Sequence, residues 1–284
     1  MNTNQNKRSR ALQYIKFMNS NIQLRTGTII IVFFIVCALL VPILSSYSFY
    51  KNDLDLGPVS PDAVHFFGTD DLGRDMLVRC MWGLRISLLI GICATSVSLF
   101  IGVIYGAIAG YAGGRADMLM MRFVDMLYAY PFIFFVIILM VVFGKNIFLL
   151  FAALGAVQWL TISRIVRGQV LSLKNRDFIK AARISGCSAL KIIFLHLIPN
   201  CFGPIIVYTA MTVPTVIMEE SFLSFLGLGV QAPMASLGSL ISDGVEYMET
   251  GAWILFFPGV ILCLVLFSLN FIAEGLRQKI DPVR

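Results

Sequence analysis

Charge is scarce in this sequence. Only 13% of its 284 residues are Asp, Glu, Lys or Arg, and they gather between long stretches that hold none. A soluble globular domain carries about 25%. With 58% hydrophobic residues and a mean hydropathy of +0.84, the deficit excludes that class and leaves an all-α integral membrane protein. Histidine is nearly absent: His65 and His196 stand far apart, so no metal site is expected. The six cysteines (Cys37, Cys80, Cys93, Cys187, Cys201, Cys263) form no C-x-x-C pair. They read as reduced, space-filling residues, with Cys80 alone expected to face the outside. No G-x-x-x-x-G-K-[ST] phosphate loop, G-x-S-x-G elbow or H-E-x-x-H pair occurs. No catalytic residue is therefore assigned, and the chain is not expected to be an enzyme or to bind a cofactor itself. The net charge of +6 comes with no aromatic-studded basic patch, so nucleic acid is not an expected partner.

What the sequence does have is a series of uncharged runs. A basic segment, residues 1–25, precedes a first span at 26–50, too long for a secretory leader and without a small-residue cleavage signal. Residues 51–84 are polar and hold six aspartates with Pro58 and Pro61, which predicts a small cap outside the membrane rather than a separate domain. A second span is predicted from about Ile86 to Tyr111. Its Gly102, Gly106 and Gly110 recur every fourth residue, leaving one face flat enough for a neighbouring backbone. A third runs from about Met121 to Phe143 with a kink at Pro131, and a fourth ends near Ser163. The fifth, about Pro204 to Leu226, is bent by Pro214 and carries Glu219 and Glu220 near its far end. Acids at that depth are costly unless paired or hydrated, so both are candidates for lining a pathway. A Gly-, Ser- and acid-rich loop to Thr250 and a last span, about Trp253 to Ala273, complete six, followed by a tail at 276–284.

Six spans put both termini on one side, and seventeen of the twenty-two basic residues then fall there, including Lys7, Arg8, Arg10, Lys16, Arg115, Arg164, Arg167, Lys180 and Arg183. Lys51, Arg74, Arg79, Arg85 and Lys145 fall on the other side. Positive charge marks the cytoplasmic face. The termini and the basic loop between the fourth and fifth spans are therefore expected inside the cell.

That loop, Arg176 to Asn200, is the most structured of the polar segments. Asp177 is expected to cap a helix over Phe178 to Ser185, and Gly186 to stop it by adopting the left-handed conformation. Ser188 is expected to cap a second helix with Leu190, Ile193, Phe194 and Leu197 on one face, ending before Pro199. Two short helices meeting at a glycine between membrane spans form a stiff knuckle.

The pattern Ala181-Ala182, Gly186, Pro199-Asn200 resembles the "EAA" loop in membrane subunits of binding-protein-dependent ABC importers. HFFGTDDLGRDMLVR (Gly68, Thr69, Asp70, Gly73, Arg74, Asp75), SRIVRGQVLSL, ESFLSFLGLG and FIAEGLRQKIDP are similar to the peptide-type permeases, most of all to the second membrane subunit of oligopeptide permeases. The resemblance covers nearly the whole chain beyond the first span. It implies the type I ABC importer permease fold, with a five-helix domain at 85–275, a cytoplasmic coupling loop at 164–203 and residence in the bacterial cytoplasmic membrane. It also implies partners: a homologous second permease, two ATPase subunits that hold ATP and Mg, an extracytoplasmic peptide-binding protein, and surrounding lipid. Coupling would fall to Asp177, Lys180, Ala181, Ala182, Gly186, His196, Pro199 and Asn200, and contact with the binding protein to the cap around Asp70, Arg74 and Asp75. One departure is Lys180, where the family has Glu; Lys cannot complete a capping box with Asp177. Read from the residues alone, Asp70, Asp71 and Asp75 are turn and helix-capping groups, since their spacing does not fit a Ca²⁺ loop. Dipeptide and nickel or metal-chelate importers share much of the pattern. A secondary transporter would show inverted repeats and midplane acids, and an integral-membrane enzyme a convergent set of catalytic groups; neither is evident.

Overall fold

A computed structural model of the protein describes residues 21–144 and 146–280. Residues 1–20 of the predicted N-terminal segment, Lys145 and residues 281–284 of the tail lie outside the described residues. Among the described residues the chain is helical, with one isolated bridge between Thr69 and Asp75. Its helices are α1 (Ile22–Leu44), α2 (Met76–Ala112), α3 (Gly114–Tyr128), α4 (Phe132–Phe143), α5 (Ile147–Leu173), α6 (Asp177–Ile184), α7 (Ala189–Asn200), α8 (Phe202–Phe225), α9 (Leu237–Glu246) and α10 (Ala252–Ile280). Five of these, α1, α2, α5, α8 and α10, are long and apolar enough to cross a membrane, and α3 with α4 makes a sixth crossing if counted as one broken span.

Packing follows the small residues. The Gly102–Gly106–Gly110 face of α2 lies against α5, where a Cβ on Gly102 would stand 2.7 Å from the Ile162 Cβ and one on Gly110 2.9 Å from the Val170 Cβ. No side chain fits there, so the two backbones run in contact along most of α5. Helix α10 joins α1 on one side and α8 and α9 on the other. The outward faces of α1 and α4 are apolar and exposed, as a lipid-facing surface requires.

Several boundaries depart from the sequence reading, those of the second and fourth spans because charges there are paired within the fold. The second span begins ten residues early, at Met76, since Arg79 is buried against Asp70 and Arg85 donates to the carbonyls of Ala38 and Leu39. Cys80 is consequently enclosed in the core and does not face outward. The fourth span runs on to Leu173, because Arg164 and Arg167 pair with Asp125 and Asp117 of α3. The third span is broken rather than kinked: α3 and α4 meet at 78° around Pro131. The loop before the last span contains α9, whose first turn is held by reciprocal bonds between Ser236 and Ser239.

Candidate functional site

Three clusters of the predicted site residues stand at different levels of the bundle. The first is the knuckle. Arg176, not Asp177, is the N-cap residue of α6; Asp177 is its first helical residue, and its carboxylate accepts from Lys180 Nζ at 3.0 Å. The residue that cannot complete a capping box thus makes an exposed i,i+3 ion pair instead. Gly186, at φ +78°, turns the chain out of α6, and the Ser188 side chain accepts from the Lys191 amide to start α7. Within α7, residues Ile193–Leu197 form a π-turn. The extra residue rotates the apolar face: Ile192, Ile193 and Leu197 are buried, whereas Leu190 and Phe194, expected beside them, are exposed. Asn200 Nδ2 donates to the carbonyl of the half-buried His196 at 2.6 Å, and Pro199 is exposed.

The knuckle is fused to the spans. Ile179, Ala182, Ile192, Ile193, Leu197 and Cys201 share one buried cluster with Ala107 of α2, Ile162, Val166 and Val170 of α5, and Ile205 of α8. The Arg183 guanidinium lies over the Tyr111 ring, 5.2 Å from its centre, and Lys174 Nζ donates to the Gly110 carbonyl at 3.0 Å. The opposite side of the knuckle has no partner among the described residues and mixes apolar with charged groups: Ile184 is 88% exposed, Leu190, Leu195 and Phe194 are also uncovered, and Asp177 and Lys180 stand exposed with them. Ala182 faces the spans and Ala181 the open side. The knuckle's inner side is thus close-packed against three spans.

The second cluster holds the two acids. Glu219 and Glu220 are adjacent on α8 and point to different environments. Gln158 Nε2 of α5 donates to Glu219 Oε1 at 2.7 Å, while Oε2 has no partner. Glu220 is 0% exposed. Its carboxylate accepts from three hydroxyls, Ser224 and Ser236 at 2.6 Å each and Ser87 at 3.4 Å. Sequence reasoning gave no bonding role to Gln158 or to these serines: Gln158, Ser87 and Ser224 sit inside apolar runs, where a hydroxyl or amide more often bonds to its own helix, and Ser236 sits in a stretch that reads as a loop.

The cap forms the third cluster. Asp75 is the N-cap of α2, accepting from the Val78 amide at 2.9 Å and meeting His65 Nδ1 at 2.9 Å. Asp70 accepts from the Leu72 and Arg74 amides, from Arg74 Nε at 2.7 Å and from Arg79. Both aspartates are buried and act as turn and capping groups. The amides of His65 and Val64 hold the Asp62 carboxyl below its usual range. Beside the cap a cleft of about 280 Å³ opens toward α9, lined by Arg74, Arg79, Asp243 and Tyr247 among others. The Tyr247 hydroxyl donates to Asp71 at 3.2 Å, and that carboxylate raises the phenol's pKa.

Comparison with known proteins places this arrangement. The family model for the binding-protein-dependent transport system inner membrane component matches residues 102–282. The chain is 51% identical over 256 residues to an oligopeptide transport system permease protein of Haemophilus influenzae, covering 89% of this chain and 82% of that one. It is 45% identical over 256 residues to the oligopeptide transport system permease protein of Escherichia coli K12, with 89% and 85% covered. A dipeptide transport system permease protein of Bacillus subtilis is 44% identical over 257 residues, with 90% and 80% covered. Among solved structures, the fold matches an inward-facing MetNI methionine ABC transporter chain at TM-score 0.59 and 16% identity, over 72% of this chain and 96% of that one.

Proposed function

The chain belongs to the family of binding-protein-dependent transport system inner membrane components, the membrane-spanning permease subunits of ABC importers, and from that premise we propose that it forms half of an oligopeptide pathway through the bacterial cytoplasmic membrane. The observation that carries the mechanism is the knuckle, open on one side with exposed apolar and charged residues and fused to α2, α5 and α8 on the other. Its open side, with Asp177, Lys180, Ala181 and Gly186, is the seat for a separate ATPase subunit. Closure of two such subunits on ATP and Mg displaces the knuckles, one in each of two homologous permeases. The spans then rock between inward- and outward-open states as rigid bodies. The termini and knuckle lie in the cytoplasm, which the distribution of basic residues supports. An extracytoplasmic binding protein delivers cargo at the cap end. ATP hydrolysis belongs to the partner chains; this chain supplies position and movement.

The identity to oligopeptide permeases supports oligopeptides as cargo; the dipeptide permease relative keeps shorter peptides as the second reading. Glu219, whose second carboxylate oxygen is buried without a partner, holds an acceptor in reserve that would serve the cargo's amides or ammonium group once movement of the spans uncovers it. The test is competition in vesicles holding the complete complex. Unlabelled peptides of four or five residues should displace a labelled oligopeptide far better than dipeptides or nickel chelates do. Displacement by dipeptides or chelates alone would reassign the cargo while leaving the machine as stated.

A further inference from the structure

A carboxylate within an apolar span is retained only where something satisfies it. For Glu220 that something is a set of hydroxyls from three elements: Ser87 of α2, Ser224 of α8 and Ser236, the N-cap of α9. Two of the donors also act as acceptors. The Leu237 amide donates to Ser87 Oγ at 3.1 Å, and the Ser239 amide to Ser236 Oγ at 3.1 Å. The first turn of α9, whose amides have no partner within the helix, is thereby fastened to the Glu220 carboxylate through two serines.

The surrounding backbone is shaped to this arrangement. Helix α8 ends in a left-handed Gly227, with the Gly227 and Leu228 amides bonded to the Ser224 and Leu223 carbonyls. The chain then folds back so closely that a Cβ on Gly229 would overlap Ser224, and one on Gly238 would overlap Ser221. Farther along, α9 is held again, by Tyr247 on Asp71 and by Gly244 against Leu255 of α10. The stretch from Glu220 to Gly229 is thus a knot around one carboxylate.

We infer that Glu220 is a positioning residue: it locks α9 to α2 and α8, so that the outer rim of this subunit moves as one body with its spans. On this inference α9 is no independent lid. The outer gate opens by separation from the partner permease, and the two adjacent acids divide their work, Glu219 bonding Gln158 of α5 and Glu220 holding the rim. The mechanical consequence rests on the transport reading above; the lock itself does not.

Hydrogen exchange in the assembled transporter separates the two. Glu220→Ala should speed exchange of the Leu237 and Ser239 amides by about tenfold or more, as expected for loss of one to two buried hydrogen bonds. Glu220→Gln, whose Oε1 still accepts from Ser224 and Ser236, should restore most of the protection. Glu220→Ala should also raise the ATP consumed per solute moved at least severalfold, and Glu220→Gln should recover it. If Glu220→Ala does not assemble, Ser87→Ala takes its place and should release the Leu237 amide selectively. Unchanged exchange in the alanine variants overturns the lock. Faster exchange with normal coupling overturns its mechanical role. Absence of ATP-driven uptake in the unaltered complex would instead count against the transport reading.

Discussion

Arg167 grips Asp117 with two parallel hydrogen bonds, 2.5 and 2.7 Å long, across fifty residues of chain. The pair ties the first turn of α3 to the knuckle end of α5, and Arg164 on Asp125 repeats the tie one turn along. Asp117 is buried and Arg167 only partly so. Replacing Arg167 by Met should cost about 1–3 kcal/mol, less than a fully enclosed pair because water reaches the guanidinium. The thermal unfolding midpoint of the detergent-solubilised complex measures this. A swap, Asp117→Arg with Arg167→Asp, should regain part of the loss, and equal loss in the swap would show that the ion pair is not the stabilising element.

Gly106 and Gly168 make a paired test of the backbone contact between α2 and α5. A methyl group on Gly106 would run into the Ser163 carbonyl, whereas nothing lies within 4 Å of one on Gly168. Gly106→Ala should therefore destabilise by about 1–3 kcal/mol. Gly168→Ala, in a helix interior, should stabilise by roughly 0.5–1 kcal/mol. Unfolding midpoints in the same detergent decide it, and similar values for the two variants would contradict the packing.

At Gly186 the surroundings are open, so only the backbone conformation restricts substitution. Asn tolerates the left-handed region and Val does not. Gly186→Asn should keep ATP-coupled uptake near its original level, and Gly186→Val should lose most of it while the spans still assemble. Uptake intact in Gly186→Val would remove the turn from the coupling mechanism.

Ile184 and Leu190 test the seat directly. Both are strongly exposed and contribute nothing to the buried cluster beneath them. Changing both to Asp should abolish recovery of the ATPase subunit with the permease without altering the permease's own thermal midpoint. Undiminished recovery would move the seat elsewhere.

Much of this architecture was legible in the sequence because lipid demands long apolar runs, and the runs around Gly91, Trp159 and Val265 could be nothing else. The boundaries were not, since Arg85, Arg164 and Arg167 find their partners far away in the chain, and a charge paired at long range reads locally as the end of a span. Helix α9 was hidden for a related reason. Its glycines, 238 and 244, look like loop residues but mark places where backbone meets Ser221 and Leu255. The resemblance picked out Ser221 to Gly229 without giving its physical cause, which is the carboxylate just before it and the hydroxyls it gathers from three elements. The capping role of Asp70 and Asp75 was readable as turn chemistry, because short-range capping leaves a spacing that long-range pairing does not.

Glu219 should tolerate loss of charge structurally but not functionally. Its single bond to Gln158 survives in Glu219→Gln through Oε1, so assembly should persist, while uptake should fall at least tenfold if the second oxygen, buried here without a partner, is uncovered to the cargo during the cycle. Normal uptake in that variant would take Glu219 out of the pathway.

The central claim is that a knuckle without fuel of its own passes a partner's ATP-driven closure to the spans. Proteoliposomes with ATP enclosed and the binding protein outside measure it directly. The complete complex should accumulate labelled oligopeptide only when ATP is present, and this chain alone should accumulate none. Accumulation by the isolated chain under a proton gradient, with no ATPase subunit and no ATP, would contradict it.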